Sequence, residues 1–246
     1  KQGGGFANSS NLNQKQLGLQ HYEKAIEYAP LEDYYRLFQG KTYLEIAQIL
    51  PADVDPAQRE GIFLKTEQVL LEAREINPLN TDHSANLARF YRGWAAQAQA
   101  QDPQQSEQLP RQAEENYHTA LILSPHNPIL WNELAILEAF DLHDEIVAQE
   151  VIAHSLAVDP EFEQTWSLLG DMRVNIDKDV PGAILAYERS LEIAPKVCTV
   201  RRVLGSLQIQ ESRWDDAAAQ LEQTLEYCPT MGDLWDIYRM LGISYF

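Results

Sequence analysis

Six prolines close six similar segments of this 246-residue chain: YEKAIEYAP at Pro30, TEQVLLEAREINP at Pro78, AEENYHTALILSP at Pro125, AQEVIAHSLAVDP at Pro160, AILAYERSLEIAP at Pro195 and AAAQLEQTLEYCP at Pro229. Their successive intervals are 48, 47, 35, 35 and 34 residues. A segment that recurs at fixed spacing is one structural unit copied along the chain. The chain must therefore fold as a row of units of about 34 residues, two of them carrying some 13 residues more.

Each closing segment sets small or apolar residues at i, i+4 and i+7, as in Ala113, Tyr117, Ala120 and in Ala183, Tyr187, Ser190. That is one stripe of an α-helix, and proline stops it. After each proline a second pattern follows, in which a large side chain precedes an apolar-small pair: Trp131 before Leu134-Ala135, Trp166 before Leu169-Gly170, and Tyr238 before Leu241-Gly242 with Tyr245. Leu87-Ala88 and Leu204-Gly205 are weaker copies, because Ser84 and Arg201 replace the bulky residue. The small residue admits a second helix at close range and the large ones fill the groove between the two.

The remaining prolines fit this layout, with Pro128 near a helix start and Pro51, Pro56, Pro103, Pro110 and Pro181 in turns between paired helices. None of them is expected to kink a helix at its middle. No alternating strand pattern survives the assignment, so the fold class is all-α.

A W-x2-L-[GA] pattern, a later Ala, an aromatic four residues on and a closing proline at a 34-residue period resemble the tetratricopeptide repeat (TPR). The resemblance covers residues 17–246. It implies a right-handed α-α superhelix, a TPR solenoid of about six helical pairs plus a terminal helix. Residues 1–16, with the Gly3–Gly5 run, are expected to be a linker or a frayed start. The long connections near 50–60 and 100–110 are expected to be lengthened helices joined by protruding loops. The chain opens on Lys1 and its last stretch, DLWDIYRMLGISYF, reads as the first helix of a further pair. A piece of a longer protein is therefore expected, with the stripe of Leu234, Tyr238, Leu241 and Tyr245 covered by further sequence or by self-association with another copy.

Charge narrows the partners. Nineteen Lys and Arg stand against 37 Asp and Glu, for a net charge of −18, which repels phosphate backbones, so no nucleic acid partner is expected. Apolar runs such as LAIL at Leu134 are far shorter than the roughly 20 residues that cross a bilayer, and no membrane insertion of this segment is expected.

The TPR resemblance implies a concave inner face lined by the first helix of each pair. On that side lie Phe38 and Lys41, then Asn86, Arg89 and Arg92, then Asn132 and Phe140, then Leu168, Asp171 and Asn175, and last Arg202. With Glu45 and Glu133 the charged residues of this face sum to +1, so acid is spared there. The groove is expected to take an extended peptide with apolar anchors and an acidic group; a mixed solvated face is the alternative. Relatives that hold a peptide's C-terminal carboxylate use Lys and Asn on successive first helices, and only fragments of that set are present.

No chemistry of an enzyme is legible. There is no H-E-x-x-H, no His-Cys cluster at metal-ligand spacing, no phosphate loop and no G-x-S-x-G elbow. No catalytic residue, metal ligand or cofactor is assigned. His143-Asp144-Glu145 reads as a turn between paired helices. Cys198 opens the first helix of a pair and Cys228 closes the second, which brings both to one end of a hairpin. They form either a disulfide, if their Cα atoms fall within about 7 Å, or two buried thiols.

The phrases LEDYYRLFQGKTYLEIA, LEAREINPLNTDHSANLARFYRGWA and LSPHNPILWNELA are also similar to the soluble repeat region of bacterial O-antigen ligase or polymerase type membrane proteins. That resemblance implies an extracytoplasmic accessory domain in polysaccharide assembly. The TPR pattern itself implies a non-enzymatic scaffold that binds a protein or peptide, with a cytoplasmic home if the narrower resemblance fails.

Overall fold

A computed structural model describes residues 12–50, 54–98, 103–232 and 234–246. Among them are twelve α-helices and no strand. Residues 1–11, 51–53, 99–102 and 233 lie outside the described residues, and with them most of the expected linker and part of both long connections. The chain divides into two compact units at Pro125 and His126.

The first unit holds α1 (Leu12–Tyr28), α2 (Asp33–Ile49), α3 (Pro56–Ile76), α4 (Thr81–Ala98) and α5 (Pro103–Leu123). Helix α1 is a closing helix, while α2 pairs with α3 and α4 with α5. The first helix runs from Leu12, the first described residue, so residues 12–16 of the expected linker are helical, and Lys15 among them is buried in an ion pair with Glu45 of α2. A buried ammonium keeps its charge only with such a partner. Part of the extra length of the two long units is helical: α3 and α5 have 21 residues each, against 14 in the closing helices of the second unit. The first turn of α3 begins at Pro56, where a proline loses no intrahelical donor.

Pro110 corrects the expectation for the prolines, since it sits inside α5. It denies the carbonyl of Ser106 its amide donor. Burial of Leu109, Ala113, Tyr117 and Ala120 on the same helix holds the segment helical regardless. The core of this unit is aromatic, with Phe63 stacked on Trp94 at 5.4 Å and Phe90 5.5 Å from Trp94.

The second unit holds α6 (Pro128–Ile136), α7 (Glu145–Val158), α8 (Glu163–Met172), α9 (Val180–Ile193), α10 (Cys198–Gln210), α11 (Trp214–Tyr227) and α12 (Leu234–Ser244). Hairpins form between α6 and α7, α8 and α9, α10 and α11. The described residues thus make five hairpins flanked by a lone closing helix and a lone first helix. Single π-helical turns, Leu137–Asp141 and Arg173–Asp177, extend α6 and α8. They occur in the two 35-residue units and not in the 34-residue unit, so the additional residue is taken up as a π turn. Each hairpin then reverses through one residue of positive φ: His143 (57°), Lys178 (57°) and Ser212 (58°). Asp144 and Asp179 follow as N-caps, accepting from Val147 N at 3.1 Å and Gly182 N at 3.0 Å. His143 and Asp144 therefore form a turn, as their sequence suggests.

The glycines mark helix contacts. A Cβ on Gly170 would stand 2.6 Å from the Tyr187 ring, and one on Gly205 would stand 3.0 Å from Leu221. Gly242 occupies the same position in α12 and meets nothing within 4 Å among the described residues, because none of them forms a partner helix there.

Candidate peptide-binding cleft

In the second unit the first helices α6, α8 and α10 line a cleft of about 530 Å³. The lining is Ile129, Asn132, Glu133 and Ile136 from α6, then Glu163, Gln164, Ser167, Leu168 and Asp171 from α8, then Val197 with Thr199, Val200 and Val203 of α10, and Tyr187 beneath. The positions repeat. Ile129, Gln164 and Thr199 are 35 residues apart, as are Glu133, Leu168 and Val203. The same face of three copied helices is thereby turned to one hollow.

Three hydrogen bonds fix its floor. Asn132 is buried, and its Oδ1 accepts from Ser155 Oγ at 2.8 Å and Thr165 Oγ1 at 3.1 Å. That pins the amide of a residue that lines the cleft. Tyr187 donates its hydroxyl to Asp171 Oδ1 at 2.6 Å. Asp171 is exposed as a residue, but the cleft wall partly desolvates its carboxyl and lifts it above the usual carboxylate range, which the phenol's hydrogen bond only partly opposes. The Tyr187 hydroxyl is pushed up by burial and by that carboxylate.

Of the expected groove residues, Asn132, Leu168 and Asp171 meet here. Asn175 is spent locally, its amide donating to the Asp171 backbone oxygen at 2.8 Å. Phe140 sits half-buried on the π turn. Arg202 turns to α12 and lies 3.6 Å from Asp236. In the first unit, Phe38 packs on Tyr34 with ring centroids 4.3 Å apart, Lys41 and Arg89 are exposed and Arg92 is half-buried, and Asn86 donates to the Asp82 carbonyl at 2.6 Å.

The expected excess of positive charge is not found at this cleft. Its lining carries Glu133, Glu163 and Asp171 and no Lys or Arg. Glu163 and Gln164 join the cleft from the first turn of α8, ahead of the stripe formed by Ser167, Leu168 and Asp171, and the 35-residue spacing from Ile129 to Gln164 is their signal in the sequence.

Arg201, an apparent departure from the repeat, takes over the bulky residue's task. Its Nε donates to the Pro195 carbonyl at 2.8 Å, as Trp166 Nε1 donates to Pro160 O at 2.9 Å and Arg36 to Pro30 O at 2.7 Å. Each ties a first helix to the proline six residues before it. Cys198 and Cys228 are joined by a disulfide. On α12 the covered stripe is Ile237, Met240, Leu241 and Ser244, whereas Trp235, Tyr238 and Tyr245 are exposed. Among the described residues no group of three His, Cys, Asp or Glu is placed to hold a metal ion, and no helix is long and apolar enough to cross a membrane.

No family model matches the chain, and no curated protein matches it. Solved structures do. A thermophilic TPR protein of Thermus thermophilus aligns with a TM-score of 0.59 at 18% identity, over 80% of this chain and 92% of that one. PilF of Pseudomonas aeruginosa aligns at 0.55 and 17%, over 85% and 89%. A MamA structure aligns at 0.52 and 17%, over 72% and 96%. None of these comparisons carries the likeness to O-antigen ligases. What they share with this chain is architecture: it has the all-α, hairpin-stacking fold of tetratricopeptide repeat proteins.

Proposed function

We propose that this chain is a protein-protein interaction scaffold and that the cleft between α6, α8 and α10 receives an apolar segment of another protein. One observation carries the reading: corresponding residues of three successive first helices converge on one hollow with apolar side chains and a pinned Asn132 amide. An apolar hollow with a few fixed polar groups is the usual form of a recognition site, and the TPR-like fold of the solved neighbours supports it. Thr199 lines the cleft and is exposed, so Thr199→Trp fills the hollow without entering the core. Panning a random 12-residue display library on the immobilised chain should yield clones that lose binding to Thr199→Trp while its circular dichroism is unchanged. A library with no such clone overturns the reading.

A second reading, an accessory domain of a polysaccharide-assembly protein outside the cytoplasm, is favoured by the Cys198–Cys228 bridge, because disulfides persist in oxidising compartments. Fully reduced cysteines in the protein isolated from its own cell under alkylating conditions would defeat it.

A further inference from the structure

Resting on the cleft reading above, we infer that the occupant is a cationic segment, apolar side chains flanked by Lys or Arg, docked with its positive groups toward Glu163 and Asp171. Charge complementarity around an apolar floor favours this occupant. Leu168, Val200 and Val203 supply the apolar floor, and the charged side chains of the lining are all carboxylates. Glu163 stands in the first turn of α8. Asp171 stands two turns further along the same helix, so the two acids bracket the apolar floor along one face. Among the described residues, the hydrogen-bond donor to the Asp171 side chain is a neutral phenol. That carboxylate lines the cleft and is exposed there, so a ligand ammonium or guanidinium could add a charge-assisted hydrogen bond to it. The chain's net charge of −18 would draw the same segment in from solution. An acidic peptide would meet Glu163 and Asp171 instead.

The test uses two fluorescent 12-residue peptides with the same leucines and valines, one bearing three Lys and the other three Glu, titrated into the full chain at 150 mM salt. The Lys peptide should bind at least tenfold more tightly than the Glu peptide. Glu163→Lys should shrink that gap to threefold or less, and Thr199→Trp should abolish binding of the Lys peptide. Equal affinities, or tighter binding of the Glu peptide, with loss on Thr199→Trp overturn the inference and leave the cleft reading standing. Preference for Lys that survives Thr199→Trp also overturns it, because the peptide then adheres to the acidic surface at large. Failure of both peptides overturns the charge inference, while the panning experiment judges the cleft by itself. Should Glu163→Lys unfold, Glu163→Gln with a smaller narrowing of the gap serves in its place.

Discussion

The Cα atoms of Cys198 and Cys228 lie 6.5 Å apart, and their disulfide ties the first residue of α10 to the residue that ends α11, 30 positions later. Val197 and Thr199, on either side of Cys198, line the cleft, so the bridge also fixes one of its walls. Closing a loop of this length contributes about 3 to 4 kcal/mol in the chain-entropy account. Urea unfolding of the oxidised chain, compared with the chain in dithiothreitol and with Cys228→Ser, should show the second unit destabilised by that amount in both cases.

Gly170 and Gly242 hold the same place in two copies of the repeat but face opposite surroundings. Gly170→Ala forces a Cβ to 2.6 Å from the Tyr187 ring and should cost about 1 to 3 kcal/mol. Gly242→Ala meets open space among the described residues and should stabilise α12 by up to about 1 kcal/mol. Thermal unfolding of the two variants should therefore shift in opposite directions.

Asp33 accepts from His83 Nε2 at 2.7 Å and from Asn77 at 3.0 Å, joining the start of α2 to the first turn of α4 and to the loop before it. Desolvation pushes the Asp33 carboxyl up, but the hydrogen bonds from His83, Asn77 and Asn80 outweigh it and hold the group below the usual value. A folded-state value below the unfolded one gives stability that is present at neutral pH and is lost as pH falls through and below the ordinary carboxylate range. Asp33→Asn should cost about 1 to 3 kcal/mol at pH 6, and the difference from the parent chain should vanish near pH 2 in acid titrations followed by circular dichroism.

Arg201 Nη1 donates to Gln220 at 2.6 Å and its guanidinium lies 5.4 Å from the Tyr227 ring centroid, besides holding the Pro195 carbonyl. Arg201→Ala should destabilise by about 1.5 to 3 kcal/mol. Arg201→Trp should lose less, because Trp166 makes the equivalent bond to Pro160 one repeat earlier. Denaturant midpoints rank the two.

The repeat and the fold class were legible because proline spacing and the small-residue slots at Gly170 and Gly205 follow from local rules that every copy obeys. Even the one-residue difference between 35 and 34 carried structural meaning, since it separates the hairpins with a π turn from the one without. Helix α5 was less legible around Pro110, where the packing of Tyr117 and its neighbours overrides a local preference.

The sequence by itself determined that these residues make short amphipathic helices which cannot hide their apolar stripes alone. It placed Leu168 and Asp171 on a first helix and brought Cys198 and Cys228 to one end of a hairpin. Only the tertiary structure decided which charges meet in the hollow. Arg202 sits one helical position from the lining residue Val203, yet it bends away to Asp236, while Glu163 joins the cleft from a turn earlier. Periodicity fixes the face of a helix, but the reach of a long cation and the pairing it finds depend on what lies across from it in space.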